Sequence, residues 1–246
     1  MSQKSIVVED LYVRFRPYVE RKPTLRRSIG RRRAPEEVVA LNHVSFTVNR
    51  GEAFGVIGRN GAGKSTLLRC VAGTLRPNGG KAVVHGTTST LLQLGVGFIP
   101  ELTGRRNVYL GGLAAGMRKR EIDERFDEIV EYAELEDAID RPMKTYSAGM
   151  FSRLAFSVAM NLDPDVLLLD EILAVGDASF QEKSMQAMRG LLNRAGTILF
   201  VSHSLGSVEE FCDRAIWLEQ GEVAATGRSS SVVEAYRRSV KKRKAG

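Results

Sequence analysis

Apolar residues fall in two rhythms along the chain. Ile6, Val7 and Val8 followed by Leu11 and Val13, and again Val44, Phe46 and Val48, read as partly buried strands. They predict a hairpin-like start whose first strand lies on an edge. Phe54 to Ile57, Val166 to Leu169 and Thr197 to Val201 are nearly unbroken apolar runs, as expected of strands buried on both faces of a parallel sheet. Thr66 to Ala72 reads as a helix. After the turn at Leu75 to Gly80, Lys81 to His85 returns as a strand, and Thr90 to Gly95 leads into a loop containing Gly97 and Pro100. From Arg105 to Met160 the pattern is helical. Ile122, Phe126, Ile129, Val130 and Ala133 mark one face of an amphipathic helix that ends before Asp137. Ala215 to Leu218 and Val223 to Ala225, joined through Gln220-Gly221, predict a terminal hairpin, and Ser231 to Val240 a closing helix. Strands alternating with helices give an α/β fold with helices on both faces of the sheet. No internal repeat is visible, so one core is expected.

At 246 residues and 43% hydrophobic content, the chain can bury a sizeable core. Its apolar runs fall far short of the ~18–20 residues of a membrane span. Met1 to Asp10 has no signal-peptide pattern, and a cytosolic location is expected. Cys70 and Cys212 lie 142 positions apart with no metal-ligand spacing, and are expected to be reduced, buried small hydrophobes.

Charge adds a feature that the apolar pattern does not show. Residues 14–33 carry a local +8 and residues 237–246 a further +6, which leaves −7 for the rest of a chain whose net charge is +7. Basic ends on an acidic body suit anionic headgroups better than a uniform nucleic-acid face, with a solvated tail as the plainer alternative. Pro17, Pro23 and Pro35 keep residues 16–37 out of the sheet, as an insertion.

The stretch Gly58-Arg59-Asn60-Gly61-Ala62-Gly63-Lys64-Ser65-Thr66, between a buried strand and a helix, fits G-x-x-x-x-G-K-[ST]. Its backbone amides are expected to wrap a polyphosphate, with glycines admitting the anion closely. Lys64 would reach the β- and γ-phosphates and Ser65 would ligate Mg²⁺, at the positive end of the helix. Asp170, ending a buried strand, can hold Mg²⁺ through water, and Glu171 beside it can orient the attacking water. His203, after the next strand, can reach the γ-phosphate. In Tyr146 to Ala155, Ser147 is a good N-cap and Gly149 opens the backbone. Together they make a second anion site that fits closure over another subunit's nucleotide.

In this order, with Gln93 between them, these motifs resemble those of the ATP-binding-cassette (ABC) ATPases over nearly the whole chain. Gly95 to Tyr109, Tyr146 to Met150 and Asp170 to Asp177 are similar to the ATPase subunits of polysaccharide exporters. Ala148 and Met150 stand where many cassettes have Gly and Gln. The resemblance implies a P-loop NTPase fold: a mostly parallel core sheet, an antiparallel β subdomain, and a helical signature subdomain at 105–160. It implies ATP and Mg²⁺, with Gln93 as a metal-contacting catalytic residue 29 positions after Lys64. Phe15 best fits the adenine-stacking aromatic, with Tyr12 second. Ser147 and Gly149 would contact the partner's γ-phosphate, and Asp177 would lie across the dimer interface. Further implied are a homodimer of ATPase subunits, a multi-span membrane permease, a lipid-linked polysaccharide of O-antigen, teichoic acid or galactan type, and peripheral attachment at the cytoplasmic face of the inner membrane. The carbohydrate-binding β-domain of some relatives is not expected in this chain. The alternatives are a cassette ATPase acting on DNA or the ribosome, or one serving another transporter. Nucleic acid is not expected, because such proteins commonly carry two cassettes or long coiled coils.

Overall fold

A computed structural model describes residues 3–16, 37–90, 95, 97–170, 180, 182–184, 186–187, 190 and 196–245. Two sheets are present. Strands β1 (Lys4–Phe15), β2 (Val38–Asn49) and β4 (Gly79–Val84) form an antiparallel sheet in the order β2-β1-β4. The second sheet has the order β5-β6-β7-β3-β8-β9, from β3 (Ala53–Ile57), β5 (Thr88–Thr90), β6 (Val166–Asp170), β7 (Thr197–Val201), β8 (Arg214–Glu219) and β9 (Glu222–Arg228). All its ladders are parallel except β8 with β9. The hairpin-like start is found, but β1 is the middle strand of its sheet. Lys81 and the residues around it return to pair with β1 on the side away from β2.

The unbroken apolar strands face two cores, as side chains alternate across the sheet. Val166 and Leu168 of β6 join Phe54 of β3, α1 (Lys64–Val71) and the antiparallel sheet, including Ile6, Val8 and Leu41. Leu167 and Leu169 face the other way, onto Phe156, Phe180, Val208 and Val233. Each of these leucines contributes about 2 kcal/mol of apolar burial.

A third core is formed by helices and the turns between them. It lies among α2 (Gly104–Ala114), α3 (Lys119–Ala133) and α4 (Ala148–Met160). The face read from Ile122, Phe126, Ile129, Val130 and Ala133 is the buried face of α3. α4 begins at Ala148, directly after the Ser147 cap, whose Oγ accepts the Met150 amide at 3.1 Å. Residues Leu154 to Met160 are all buried, as α4 packs on α3 with one face and on the sheet with the other.

The chain ends in α5 (Leu205–Phe211), the β8–β9 hairpin and α6 (Ser229–Ala245). α6 is longer than the expected Ser231 to Val240, and it takes much of the basic tail into its helix. Arg237 pairs with Glu209 at 2.8 Å and Arg243 with Glu219 at 2.6 Å, so acids of the body draw the tail onto it. Of the basic insertion, residues 17–36 lie outside the described residues. At its two ends, Glu37 accepts from Arg14 and Arg16 at 2.7 Å each.

Asn107, fully buried in α2, escaped the sequence reading. Its Oδ1 accepts the Ile99 amide at 2.6 Å, and its Nδ2 donates to the carbonyls of Ile99, Leu102 and Thr103 at 3.0, 3.2 and 2.9 Å. One amide side chain thus ties the loop before α2 to that helix. Replacing Asn107 with Ala strands several buried backbone groups, each worth roughly 1–3 kcal/mol. A loss of about 2–4 kcal/mol is expected in urea unfolding. A loss below about 1 kcal/mol would mean that water replaces the amide.

Candidate functional site

β3 is hydrogen-bonded on both sides, by β7 and β8, and stops at Ile57. The chain then turns through Gly58 to Gly63 into α1, whose first-turn amides have no partner within the helix and face the turn. Gly58, Gly61 and Gly63 have φ of 153°, 79° and 100°. Sequence reading assigns all three glycines to close approach of an anion, and the structure divides them. A Cβ on Gly58 would lie 2.3 Å from the Leu218 carbonyl oxygen, and one on Gly63 2.4 Å from that of Ala40. These two glycines are required by backbone pressing on the loop from β8 and β2. Only Gly61 borders open space, with nothing within 4 Å of an added Cβ.

Lys64 is 6% exposed, and its Nζ donates to the Gly58 and Arg59 carbonyls at 2.8 and 3.1 Å. The ammonium is therefore held inside the turn. Ala62 is buried, and its amide closes the turn on the Arg59 carbonyl at 3.1 Å. Arg59, Asn60 and Ser65 are exposed and Thr66 is half-buried.

The parallel register aligns the other candidates. Asp170 pairs with Val201, and Val201 with Val56, so one level across the sheet carries Asp170, the end of β7 and the start of the phosphate loop. This is the carboxyl end of the strands, where open α/β sheets bind ligands. The Ser202 amide donates to the Val56 carbonyl at 3.3 Å, and His203, next along, is exposed at this edge. Glu171, Gln93 and Asp177 lie outside the described residues. Glu171 is the next residue after Asp170 in the chain.

Phe15 ends β1 opposite Val38 and is 43% exposed. It shares its end of the ladder with Ala40, whose carbonyl backs Gly63. The Tyr12 ring is stacked on His43, with centroids 5.4 Å apart.

Ser147 and Gly149 occupy the exposed start of α4. A Cβ on Gly149 would meet only the Ser147 Oγ, at 3.7 Å, so this chain's own packing does not demand glycine there. Cys70 and Cys212 are free and buried, and burial pushes their thiols up to about 11 and about 12. Both stay protonated near neutral pH, in keeping with a packing role.

The turn, the aligned carboxylate and the capped helix are found in the arrangement expected of a nucleotide-hydrolysing cassette, and comparison with known proteins gives the family. Residues 41–174 match the ABC transporter family, and the chain belongs to that family as an ATP-binding, ATP-hydrolysing subunit. It is 46% identical to the O-antigen export system ATP-binding protein RfbB of Klebsiella pneumoniae over 202 residues, 82% of each chain. Its identity to the RfbB of Myxococcus xanthus is 41%, over 97% of this chain and 57% of that one. With the teichoic acids export ATP-binding protein TagH of Bacillus cereus it is 43%, over 80% of this chain and 36% of that one. The fold is shared with an ATP-binding subunit of an ABC transporter at TM-score 0.71 and 24% identity, covering 94% of this chain and 93% of that one. A dimeric post-hydrolysis cassette bound to ADP and Pi gives 0.67 at 23%, covering 91% and 98%.

The two kinds of loop glycine can be separated by experiment. Gly63→Ala puts a methyl against a backbone oxygen at a left-handed φ, whereas Gly61→Ala meets only the unfavourable φ, worth about 1 kcal/mol. Gly63→Ala is expected to lower thermal stability by at least about 2 kcal/mol more than Gly61→Ala. Equal effects in calorimetry would remove the role given to Ala40.

Proposed function

We propose that this subunit hydrolyses ATP as one half of a homodimer and that the work drives export of a lipid-linked polysaccharide, of O-antigen or teichoic acid type, through a multi-span membrane permease. The observation that carries the proposal is the identity to export-system ATP-binding proteins across most of the chain, joined to the loop, carboxylate and capped helix just described. Among the described residues no helix is long and apolar enough to cross a membrane. A permease must supply that path, with the ATPase peripheral at the cytoplasmic face of the inner membrane.

In this reading the amides of Gly61 to Thr66 and the Lys64 ammonium bind the β- and γ-phosphates. Phe15 stacks on adenine, since it is exposed at the end of β1 while the Tyr12 ring is engaged with His43. Ser65 and Asp170 offer hydroxyl and carboxylate oxygens, a donor set suited to Mg²⁺, with Gln93 as a further ligand. When bound, the ion offsets charge on the phosphate oxygens. Glu171 orients the attacking water and takes its proton, and His203 steadies the γ-phosphate. Ser147 and Gly149 close on the partner's γ-phosphate, which gives Gly149 a reason that its own chain does not. The basic insertion at 16–37 faces anionic headgroups or the permease.

Glu171→Gln removes the water-orienting carboxylate and leaves Lys64, Ser65 and Asp170 in place. It is expected to keep ATP affinity, trap an ATP-bound dimer and lower turnover about 10²–10⁴-fold. Wild-type turnover in a phosphate-release assay would remove Glu171 from this role. Lys64→Ala should instead weaken nucleotide binding itself, as read by titration calorimetry.

Replacing Arg26, Arg27, Arg31, Arg32 and Arg33 with Ser tests the insertion. Each charge near an anionic leaflet is worth at most ~1 kcal/mol, so salt-sensitive association with permease-containing membranes should fall while ATP binding holds. Unchanged association and export would leave the segment a solvated loop.

A further inference from the structure

Glu134 closes α3 in the left-handed region, at φ 57° and ψ 48°. Glycine, or failing that asparagine, takes this conformation at least cost. A glutamate held there points to a use for its side chain. That side chain is bound twice: Oε2 accepts from Arg153 Nη1 at 2.7 Å, and Oε1 from Lys183 Nζ at 3.1 Å. The two cations come from different parts of the fold. Arg153 lies in the second turn of α4, behind Ser147, and Lys183 lies in helical residues 182–184, beyond the segment that leaves β6 at Asp170.

The surroundings tighten this joint. Lys183 Nζ also donates to the Tyr132 carbonyl at 3.0 Å, and the Tyr132 hydroxyl donates back to the Lys183 carbonyl at 3.0 Å. The Arg153 guanidinium sits over the Phe180 ring at 5.1 Å, and the Lys183 ammonium over Tyr132 at 4.5 Å. The rings of Tyr132, Phe156 and Phe180 pack pairwise at 5.8 to 6.3 Å. Glu134 thus accepts from two cations, one on each carboxylate oxygen.

We infer that Glu134 is a positioning residue, which sets the placement of α4, and with it Ser147, relative to α3 and to helical residues 182–184. The inference rests on the reading that the Ser147 end of α4 closes on the partner's nucleotide. In that role Glu134 holds α4 to α3 and to residues 182–184, so that ATP held at the phosphate loop is met by a correctly aimed Ser147 from the other subunit. Glu134 touches no nucleotide, and its loss should leave ATP binding to a single subunit unaffected.

Glu134→Gly is the discriminating variant, because glycine suits the left-handed backbone and removes only the clasp. In the full chain, its thermal midpoint should hold or rise, and ATP affinity should stay within about twofold. ATP-driven dimerisation, measured by sedimentation in the Glu171→Gln background, should weaken about tenfold, and kcat in the Glu171 background should fall by a similar factor with little change in KM. Adding Lys183→Met should cost Glu134→Gly little more, since both act through one clasp. Undiminished dimerisation and kcat in Glu134→Gly, or a fall in the thermal midpoint large enough to account for the loss, would overturn the inference. Ser147→Arg tests the underlying reading separately. If that variant still dimerises with ATP, the assignment of α4 fails; if it does not dimerise while Glu134→Gly does, only the role of Glu134 fails.

Discussion

The phosphate loop depends on two backbone carbonyls pressing on it from behind. Leu218 and Ala40 come so close to Gly58 and Gly63 that a methyl group on either would clash with them. The loop is therefore shaped by the β8–β9 hairpin and by β2 as much as by its own sequence. The contacts continue past it: the Gly221 amide donates to the Ala62 carbonyl at 3.2 Å, and the Asn42 amide to the Gly221 carbonyl at 2.8 Å. Under the proposed function, a bound polyphosphate would meet a cradle already fixed by these contacts, with little ordering cost left for binding to meet.

Under the proposed function, α4 plays the corresponding part for the second half of the site. Its two buried faces bring the helical core and the sheet core onto one helix, and its exposed end carries the Ser147 cap. A helix shared between two cores cannot shift against one without disturbing the other, because close-packed interiors pass displacement on. The Glu134 clasp adds directional contacts to that packing.

The charges follow a similar division between local pattern and tertiary use. The basic C-terminal segment is helical, with Arg237 and Arg243 paired to acids of the body. Such exposed pairs are worth well under 1 kcal/mol each, so they guide the placement of α6 more than they hold the fold. Apolar residues such as Val232 and Val233, buried against the sheet, do most of the holding.

What the sequence determined by itself is whatever depends on near neighbours along the chain. The strand, turn and helix around Lys64, the apolar run ending at Asp170, the Ser147 cap and the apolar stripe of α3 all follow from spacing of a few residues, and each is found where its spacing places it. Only the tertiary structure decided that β1 is a central strand, because its second neighbour, β4, arrives some seventy residues later. It alone also decided that Gly58 and Gly63 answer to Leu218 and Ala40, that Asn107 holds a loop together, and that Arg153, within a stretch already singled out, belongs to a clasp with Glu134 and Lys183. In each case the deciding atom lies on another element, often a backbone oxygen, and no local pattern of side chains encodes where such an atom will come to rest.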